Sequence, residues 1–453
     1  MGKKRAPSIN RRQFIKYGGA AGVTTFLAGC SNQGSDGGDG SSGGDGSSGS
    51  DGSSGSDGSS GGDGGDGGDG DGGDGGSTST PTVDSVTIGS NHPLTGSLSD
   101  TGVRMDQAVQ LAAMIKNENG GIESLGGAEV EVVSGDNEGA QELGGEVAQN
   151  LIDEGADVLT GCYSSPVTSA ATRVAERERV PFVISVSIAN SILQETQLNY
   201  SYRPQPSAQK TSTDHARLMP QIARNGGQTV DTAGLFYIDI SFGQSIRDTL
   251  REQLPQNGVE IVEETAIGFG ETADTQVTRL RDADPDAVIA TTYVGGTVEL
   301  LGAMDNQNYR PPVLAGCANA ALNDLSALQD MGETANGALA TNFALDPTED
   351  RALEVQDRFS EEFDRSMDAN VAMTYASTQV IIEAIEQAGS ADPEVINDTL
   401  QNITVEDHIA AMPPITFRED GENANALAPL YQVQNLDDVV VAPDEFAAAD
   451  PQF

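Results

Sequence analysis

Two adjacent serines, Ser164 and Ser165, stand between a predicted strand at 157–161 and a predicted helix at 168–177. Backbone N–H groups in the first turn of a helix lack intrahelical partners, and this end of the helix carries a partial positive charge. Two hydroxyl groups placed there are suited to bind a carboxylate. Capping of the helix without ligand binding is the alternative interpretation.

The sequence lacks the usual patterns of catalytic, metal and phosphate sites. Its three histidines, His92, His215 and His408, belong to no His/Cys/carboxylate cluster with metal-site spacing. A Gly-x-Ser-x-Gly motif is absent, and the glycines at 268–270 and 295–296 lack the rest of a phosphate-binding pattern. These absences argue against an enzyme and against a metal or cofactor site, with an exported hydrolase as the alternative.

The first thirty residues have the pattern of an export signal. The pair Arg11 and Arg12 precedes a short apolar run at 20–28, which leads into Leu-Ala-Gly-Cys with the cysteine at position 30. This pattern resembles a twin-arginine signal joined to a lipobox, and the apolar run is shorter than the ~20 residues of a membrane-spanning helix. We predict cleavage before Cys30 and lipidation of its thiol at the outer face of the cell membrane. A plain helix with a chance arginine pair is the alternative.

Residues 31–83 form a predicted disordered tether. The stretch 31–76 is almost wholly glycine, serine and aspartate, with ten aspartates and no apolar residue to bury. Such a chain cannot offset the conformational entropy that it would lose on folding. A flexible glycine-rich coil of this length spans roughly 35–40 Å. We expect this segment to hold the following domain off the membrane.

The rest of the chain is strongly acidic. Of the formal net charge of −45, the first thirty residues contribute +6 and the tether −10, which leaves −41 for residues 77–453. Lys116 and Lys210 are the only lysines in that part, so a basic nucleic-acid-binding face is excluded as a dominant feature. This lysine-poor, tryptophan-free composition indicates adaptation to molar salt, where charges are screened within ~3 Å. Binding of calcium or a cationic partner is the alternative.

Two further cysteines, Cys162 and Cys317, lie 155 positions apart and form no CxxC pair. We expect both to be small buried residues. A disulfide between them is the alternative, since an extracytoplasmic location would permit it.

Strand and helix patterns alternate from residue 84 onwards. One series of predicted strands is at 86–90, 129–134, 157–161 and 180–185, and a second is at 234–238, 259–264, 287–292 and 312–316. Between the two series, Pro204 and Pro206 force extended backbone. The alternation predicts an α/β fold with parallel sheets. Because ~370 residues are too many for one modest core, we expect two lobes.

Short motifs spread over this acidic part have the order and spacing of a known family. They are Val86-Thr87-Ile88-Gly89 with Pro93-Leu94-Thr95-Gly96, Asn119-Gly120-Gly121-Ile122, Gly161-Cys162-Tyr163-Ser164-Ser165, Val180-Pro181-Phe182-Val183-Ile184-Ser185, and Asp284-Pro285-Asp286-Ala287-Val288. From Asp84 to about Val441 the chain resembles the extracytoplasmic solute-binding proteins of ABC importers. Within that class it is most similar to the leucine/isoleucine/valine-binding family, which has the type I periplasmic-binding fold.

The resemblance implies two Rossmann-like lobes with parallel sheets, joined by three crossovers in a Venus-flytrap arrangement. The crossovers are expected near Pro204, at 337–344 and at 415–418. Lobe one then comprises 84–204 plus 343–413, and lobe two comprises 205–341 plus 415–442. The resemblance further implies a monomer that captures a small solute between its lobes and delivers it to a permease and ATPase complex. A ligand-sensing receptor domain of the same fold is the alternative.

The resemblance also assigns candidate ligand-binding residues in lobe one. Ser164 matches the serine that binds the ligand carboxylate, with Ser165 beside it. Ser187 and Ala189 match positions that contact the ligand amine, although the hydroxyl usual at the latter is absent. Thr101 is a further candidate ligand-binding residue.

In lobe two, Phe242 and Tyr293 are candidates for covering the ligand, with core packing as the alternative. The acidic residue that pairs with the ligand amine in amino-acid binders is expected at Ala318, and residues 316–319 contain no carboxylate. A buried ammonium group without an opposite charge is costly. Two ligand classes therefore stay open: a branched-chain amino acid, if another acid such as Asp239 substitutes, or a carboxylate-bearing, amide-like or neutral solute.

Overall fold

The computed structural model describes residues 83–194 and 197–453. The predicted export signal at 1–30, with Arg11, Arg12 and Cys30, lies outside the described residues, as does the tether at 31–83 except for its last residue. Strands and helices alternate in the described part and build two large sheets, which confirms the predicted α/β fold. No helix in these two ranges is both long and apolar enough to cross a membrane.

A five-stranded parallel sheet forms the centre of lobe one. Its strands are β1 (Ser85–His92), β2 (Glu129–Asp136), β3 (Val158–Gly161), β4 (Phe182–Ile184) and β5 (Ser201–Tyr202), in the order β2-β1-β3-β4-β5. The intervening helices are α1 (Ser99–Glu118), α2 (Gln141–Asp153), α3 (Ser165–Glu178) and α4 (Ser191–Gln194).

The two faces of this sheet bury different apolar clusters, because side chains alternate along each strand. Val158 and Val183 belong to the cluster that contains Met105 of α1. Their neighbours Leu159 and Phe182 belong to a second cluster, built with α2 and α3. Helices therefore cover both faces, as a parallel sheet requires.

The sheet of lobe two begins with five parallel strands. These are β6 (Thr232–Ile238), β7 (Glu260–Ile267), β8 (Ala287–Thr291), β9 (Val313–Cys317) and β10 (Leu339–Thr341). The helices of this part are α5 (Ala208–Asn225), α6 (Ser241–Gln256), α7 (Asp274–Ala283), α8 (Val294–Asn306) and α9 (Leu325–Met331). Cys162 and Cys317 are both buried and unpaired, as expected.

The chain then returns to lobe one before it completes the second sheet. It forms α10 (Asp350–Phe363), α11 (Ala369–Ala388), α12 (Pro393–Leu400) and the antiparallel pair β11 (Thr404–Val405) and β12 (Ile415–Thr416). Helix α11 packs against α1, β3 and β4. The chain ends in β13 (Leu430–Gln434) and β14 (Asp437–Ala442), which add antiparallel strands and give the order β14-β13-β10-β9-β8-β6-β7.

The chain passes between the two sheets three times: after β5, after β10 and before β13. Within the predicted crossover at 337–344, residues 339–341 form β10 of the second sheet. Extended backbone suits a short strand as well as a linker, which is why the sequence did not separate the two. We keep the predicted residue ranges of the lobes as our proposal for their limits.

The first and third crossovers are bonded to each other at Arg203. Its backbone N–H donates to the Gly421 carbonyl at 2.8 Å, and its fully buried guanidinium donates to the Glu422 carboxylate at 3.0 Å. The same guanidinium donates to the carbonyl of Ala189 at 2.8 Å. These two bonded crossovers, here called the hinge, therefore also hold the loop after β4, where the candidate residues Ser187 and Ala189 lie.

Candidate functional site

A cavity lies between the lobes at the carboxyl ends of strands, where open α/β sheets bind ligands. Lobe one contributes Tyr163, Ser165, Val186, Ser187, Ile188 and Asn370, lobe two contributes Phe242, Tyr293, Ala318 and Ala320, and the second crossover contributes Asn342 and Phe343. The volume open to the centres of water-sized molecules is about 30 Å³. One water needs roughly 10–15 Å³ on this measure, so the lobes approach each other closely around the cavity.

The structure brings five of the eight predicted ligand-binding residues together in this cavity. They are Ser165, Ser187, Phe242, Tyr293 and Ala318. The other three, Ser164, Ala189 and Thr101, do not line it. Thr101 instead lines a second, wider cavity of about 390 Å³, which shares Tyr163 and Tyr293 with the first.

The loops after β3 and β4 are bonded to each other, which fixes their hydroxyl groups. The Ser187 hydroxyl lies 2.5 Å from that of Thr168 and donates to the Cys162 carbonyl at 2.9 Å. The Ala189 N–H donates to the Ser165 hydroxyl at 3.3 Å. The carbonyl of Ala189 accepts from the hinge arginine, so this atom is already bonded within the protein.

Ser164 differs from its neighbours in what its side chain does. It is the N-cap residue of α3 and is buried, but its hydroxyl makes no capping hydrogen bond. Burial raises the pKa of Tyr293 to about 12, and the Ser164 side chain opposes part of that rise. This serine therefore stands at the N-terminus of α3 without capping the helix through its side chain.

Aromatic side chains surround Tyr293. Its ring centroid lies 5.0 Å from that of Tyr163 and 5.5 Å from that of Phe242. On the outer side it stacks on Phe269 at 5.6 Å with an interplanar angle of 16°, and Phe269 is about half exposed. The aromatic group therefore extends from the cavity wall to the protein surface.

Sequence reasoning missed several residues of the cavity. Tyr163 lies inside the Gly-Cys-Tyr-Ser-Ser motif, directly before the two candidate serines, so the motif could have predicted it as a cavity residue. Asn370 was missed because the helix was predicted at 372–388, which excludes this residue. The observed helix begins earlier, at Ala369, directly after its N-cap residue Asp368. Asn342 lies in the second crossover and donates to the Asn323 side chain at 3.2 Å.

The cavity carries no charged side chain among its lining residues, within the part of the chain that the structure describes. Asp239, considered above as a substitute acid, is exposed and accepts from the Gln244 amide at 3.0 Å. Polar groups of the lining are instead hydroxyls and the amides of Asn342 and Asn370. The lining of this cavity can bind neutral or anionic polar groups but offers no carboxylate to an ammonium group. Asp100, Asp324 and Asp330 line the wider cavity instead.

No histidine, cysteine or acidic residue lines this cavity, within the described ranges. No cluster of three or more His, Cys, Asp or Glu able to hold a metal ion occurs in residues 83–194 and 197–453. His92 is buried in lobe one, with Nδ1 2.9 Å from the Ser90 hydroxyl and Nε2 3.3 Å from that of Ser185. Burial lowers the pKa of His92 to about 4, although the nearby Asp106 opposes this shift.

Comparison with known proteins agrees with this architecture. Residues 85–438 match the model of a family described as periplasmic binding protein, which spans more than half of the chain. The protein therefore belongs to the periplasmic-binding-protein family. Within it, the chain is a type I protein of the branched-chain amino acid group, as the sequence motifs had indicated.

Individual relatives are distant but cover most of the chain. Leu/Ile/Val-binding protein homolog 8 of Brucella abortus (strain 2308) is 23% identical over 385 residues, which cover 83% of this chain and 94% of that protein. The leucine-binding protein LivK of Thermotoga maritima has a similar structure, with a TM-score of 0.68, 20% identity and coverage of 80% of this chain and 99% of that chain.

A second similar structure is that of a solute-binding protein of an ABC transporter from Rhodopseudomonas palustris, solved in complex with 3,4-dihydroxybenzoic acid. The TM-score is 0.67 at 20% identity, and the match covers 78% of this chain and 94% of that chain. These likenesses confirm the fold predicted from the sequence.

Proposed function

We propose that this protein is the solute-binding component of an ABC importer and acts by binding rather than by catalysis. The lipid on Cys30 would hold it at the outer face of the cell membrane, and the tether would let the monomeric two-lobed body reach a permease and ATPase complex. The observation that supports this proposal is the cavity at the carboxyl ends of the strands, which both lobes line. Its lining supports solute capture by closure of the lobes.

We propose further that the solute carries a carboxylate or an amide and no positive charge. The lining offers hydroxyls and amides but no acidic side chain, so an amino acid would bury its ammonium group unpaired. The N-terminus of α3, with Ser164 and Ser165, is suited to an anionic or amide oxygen. The aromatic side chains around Tyr293 would cover the apolar body of the solute. The aromatic acid in the similar Rhodopseudomonas palustris structure has this combination of groups.

A thermal-shift screen of the full chain in molar potassium chloride tests this proposal. The panel contains leucine, isoleucine and valine, the aromatic acids benzoate and 3,4-dihydroxybenzoate, and acetamide. A ligand at a hundredfold excess over its Kd stabilises the folded state by ~2.7 kcal/mol. We expect a shift with a carboxylate or amide of the panel and none with the three amino acids. A shift with leucine, isoleucine or valine would show that another group replaces the missing acid.

The anchoring part of the proposal has its own test. Wild-type protein should fractionate with membranes and carry lipid on Cys30, whereas Cys30→Ser should be released in soluble form. Replacement of Arg11 and Arg12 together by lysine should block export, because the arginine pair is the recognised element of the signal. Membrane association that survives Cys30→Ser would refute the lipid anchor.

A further inference from the structure

One guanidinium joins two helix-capping aspartates that belong to different lobes. Arg104 of α1 donates from Nη1 to Asp368 at 2.5 Å and from Nη2 to Asp324 at 2.6 Å. Asp368 begins α11 of lobe one, whereas Asp324 begins α9 of lobe two. All three side chains are at most 5% exposed. The ion pair between Arg104 and Asp324 therefore crosses from one lobe to the other out of contact with bulk water.

In each aspartate, one carboxylate oxygen caps a helix and the other accepts a hydrogen bond from Arg104. Oδ1 of Asp324 accepts from the N–H groups of Ser326 and Ala327 at 2.9 and 3.0 Å, and Oδ2 faces Arg104. Asp368 uses Oδ1 in the same way at the start of α11, and its Oδ2 faces Arg104. The capping bonds hold both carboxylates in place within their own lobes, independently of the guanidinium. The contact across the lobes therefore depends on how the lobes sit together.

We propose that Arg104 is a positioning residue that holds the lobes closed through its ion pair with Asp324, here called the Arg104 latch. This role deepens the proposed function, because closure is the step that captures the solute. When the lobes separate, Arg104 retains its ion pairs with Asp368 and Asp100, which both belong to lobe one. The Asp100 carboxylate lies 3.0 Å from Nη2 and is largely exposed. Opening therefore costs one ion pair without leaving the guanidinium buried and unpaired, so the latch is reversible.

The latch closes beside the proposed solute site. Asp324 and Thr101 line the wider cavity of about 390 Å³, together with Tyr163 and Tyr293, which also line the solute cavity. A solute that draws Tyr163 and Tyr293 together would thus bring Arg104 and Asp324 into contact. Because the pair is buried, salt screens it much less than it screens the exposed ion pairs. The latch would remain effective at the high ionic strength that the composition indicates.

The test compares three carboxylate-to-amide changes around the same guanidinium. Asp324→Asn removes the charge across the lobes and keeps a good N-cap residue for α9. Asp368→Asn makes the same change on the lobe-one side, also at an N-cap. Asp100→Asn removes the exposed lobe-one carboxylate. Should Asp324→Asn not fold, Asp324→Ser offers another N-cap residue without the charge.

Spin labels report the distance between the lobes without any solute. They are placed on the full chain through Glu142→Cys in α2 and Glu252→Cys in α6, both exposed positions, with Cys30→Ser to remove the third thiol. Cys162 and Cys317 are buried and should not react. Pulsed electron paramagnetic resonance in molar potassium chloride then gives the ratio of closed to open molecules. Thermal melting of each unliganded variant is measured in parallel.

We expect Asp324→Asn to lower the ratio of closed to open molecules at least about tenfold, since hydrogen bonds between charged groups are among the stronger ones. Asp368→Asn and Asp100→Asn should leave the ratio unchanged or raise it, because they leave Arg104 with less competition for Asp324. Melting of Asp324→Asn should match that of the parent. The proposal is overturned if Asp324→Asn has the parent's distance distribution, or if either control opens the lobes as far. Since no solute is present, this outcome is independent of the thermal-shift screen.

Discussion

Tyr163 of lobe one and Tyr293 of lobe two meet edge to face between the lobes, with ring centroids 5.0 Å apart and ring planes at 64°. Each lies two residues after the end of a strand and shortly before a helix, so both positions are set by βα units of their own lobe. Both rings line the narrow cavity between the lobes and also the wider cavity.

Truncation of Tyr293 should weaken solute binding. We expect Tyr293→Ala to cost at least about 1 kcal/mol of binding free energy for the ligand found in the screen, because aromatic pairs contribute ~0.5–1.5 kcal/mol beyond area burial. Tyr293→Phe keeps the ring and removes only the hydroxyl near Ser164, so its cost should be smaller. Isothermal titration calorimetry measures both. Equal affinity of Tyr293→Ala and wild type would show that the ring does not contact the solute.

Ser164→Ala should separate binding from folding. Its hydroxyl makes no capping hydrogen bond, so the melting temperature of the unliganded protein should hardly change. If Ser164 binds an oxygen of the solute, the same change should weaken binding by about 1–3 kcal/mol.

Ser165→Ala is the matched control for this change. The Ser165 hydroxyl accepts from the Ala189 N–H, so its removal should lower the melting temperature of the unliganded protein. A drop in melting temperature for Ser164→Ala as large as that for Ser165→Ala would assign Ser164 a structural role only.

Stability should fall with pH below the ordinary histidine range. Burial lowers the pKa of His215 to about 3 and that of His92 to about 4, whereas histidines of the unfolded chain titrate near 6.5. As the pH drops below 6.5, these two histidines become protonated in the unfolded chain but stay neutral in the folded protein. Each histidine should then cost about 2 kcal/mol of unfolding free energy at about pH 5, measured by denaturant titration.

A variant of His215 measures how much of the loss of unfolding free energy at low pH is due to this residue. His215 bonds Thr341 through Nδ1 at 3.0 Å, and its Nε2 has no partner among the described residues. His215→Asn places a side-chain amide near the position of Nδ1 and removes the titrating imidazole. We expect its unfolding free energy to fall about 2 kcal/mol less than that of wild type between pH 7 and 5, and an identical loss would contradict the assignment.

Low ionic strength should destabilise the two-lobed body. Residues 77–453 carry a formal charge of −41, and such a charge repels itself when it is not screened. We expect the melting temperature to be markedly lower at about 0.05 M than at about 2 M potassium chloride, since the Debye length falls severalfold over that range. Differential scanning calorimetry at several concentrations measures this. Equal melting in both solutions would refute the adaptation to molar salt.

Several parts of the site could be predicted because their signals are local. The predicted strand at 157–161, with Ser164 and Ser165 after it, predicts that these serines open the next helix, and α3 begins at Ser165. The absence of an acid near Ala318 is likewise readable from the chain, and the cavity lining has no charge there. By contrast, the contact between the rings of Tyr163 and Tyr293 was not predictable, because the two residues belong to different lobes.

By itself, the sequence determined the family, the alternation of strands and helices, and five of the twelve residues that line the cavity, because hydrophobic periodicity and turn residues act over a few neighbours. Only the tertiary structure decided which residues face each other between the lobes. Arg104 and Asp324 lie 220 positions apart and carry no mutual signal in the chain. Their contact depends on two separately built sheets and on the hinge that sets the lobes against each other. No local pattern encodes that placement, since it is the sum of many packing contacts in both lobes.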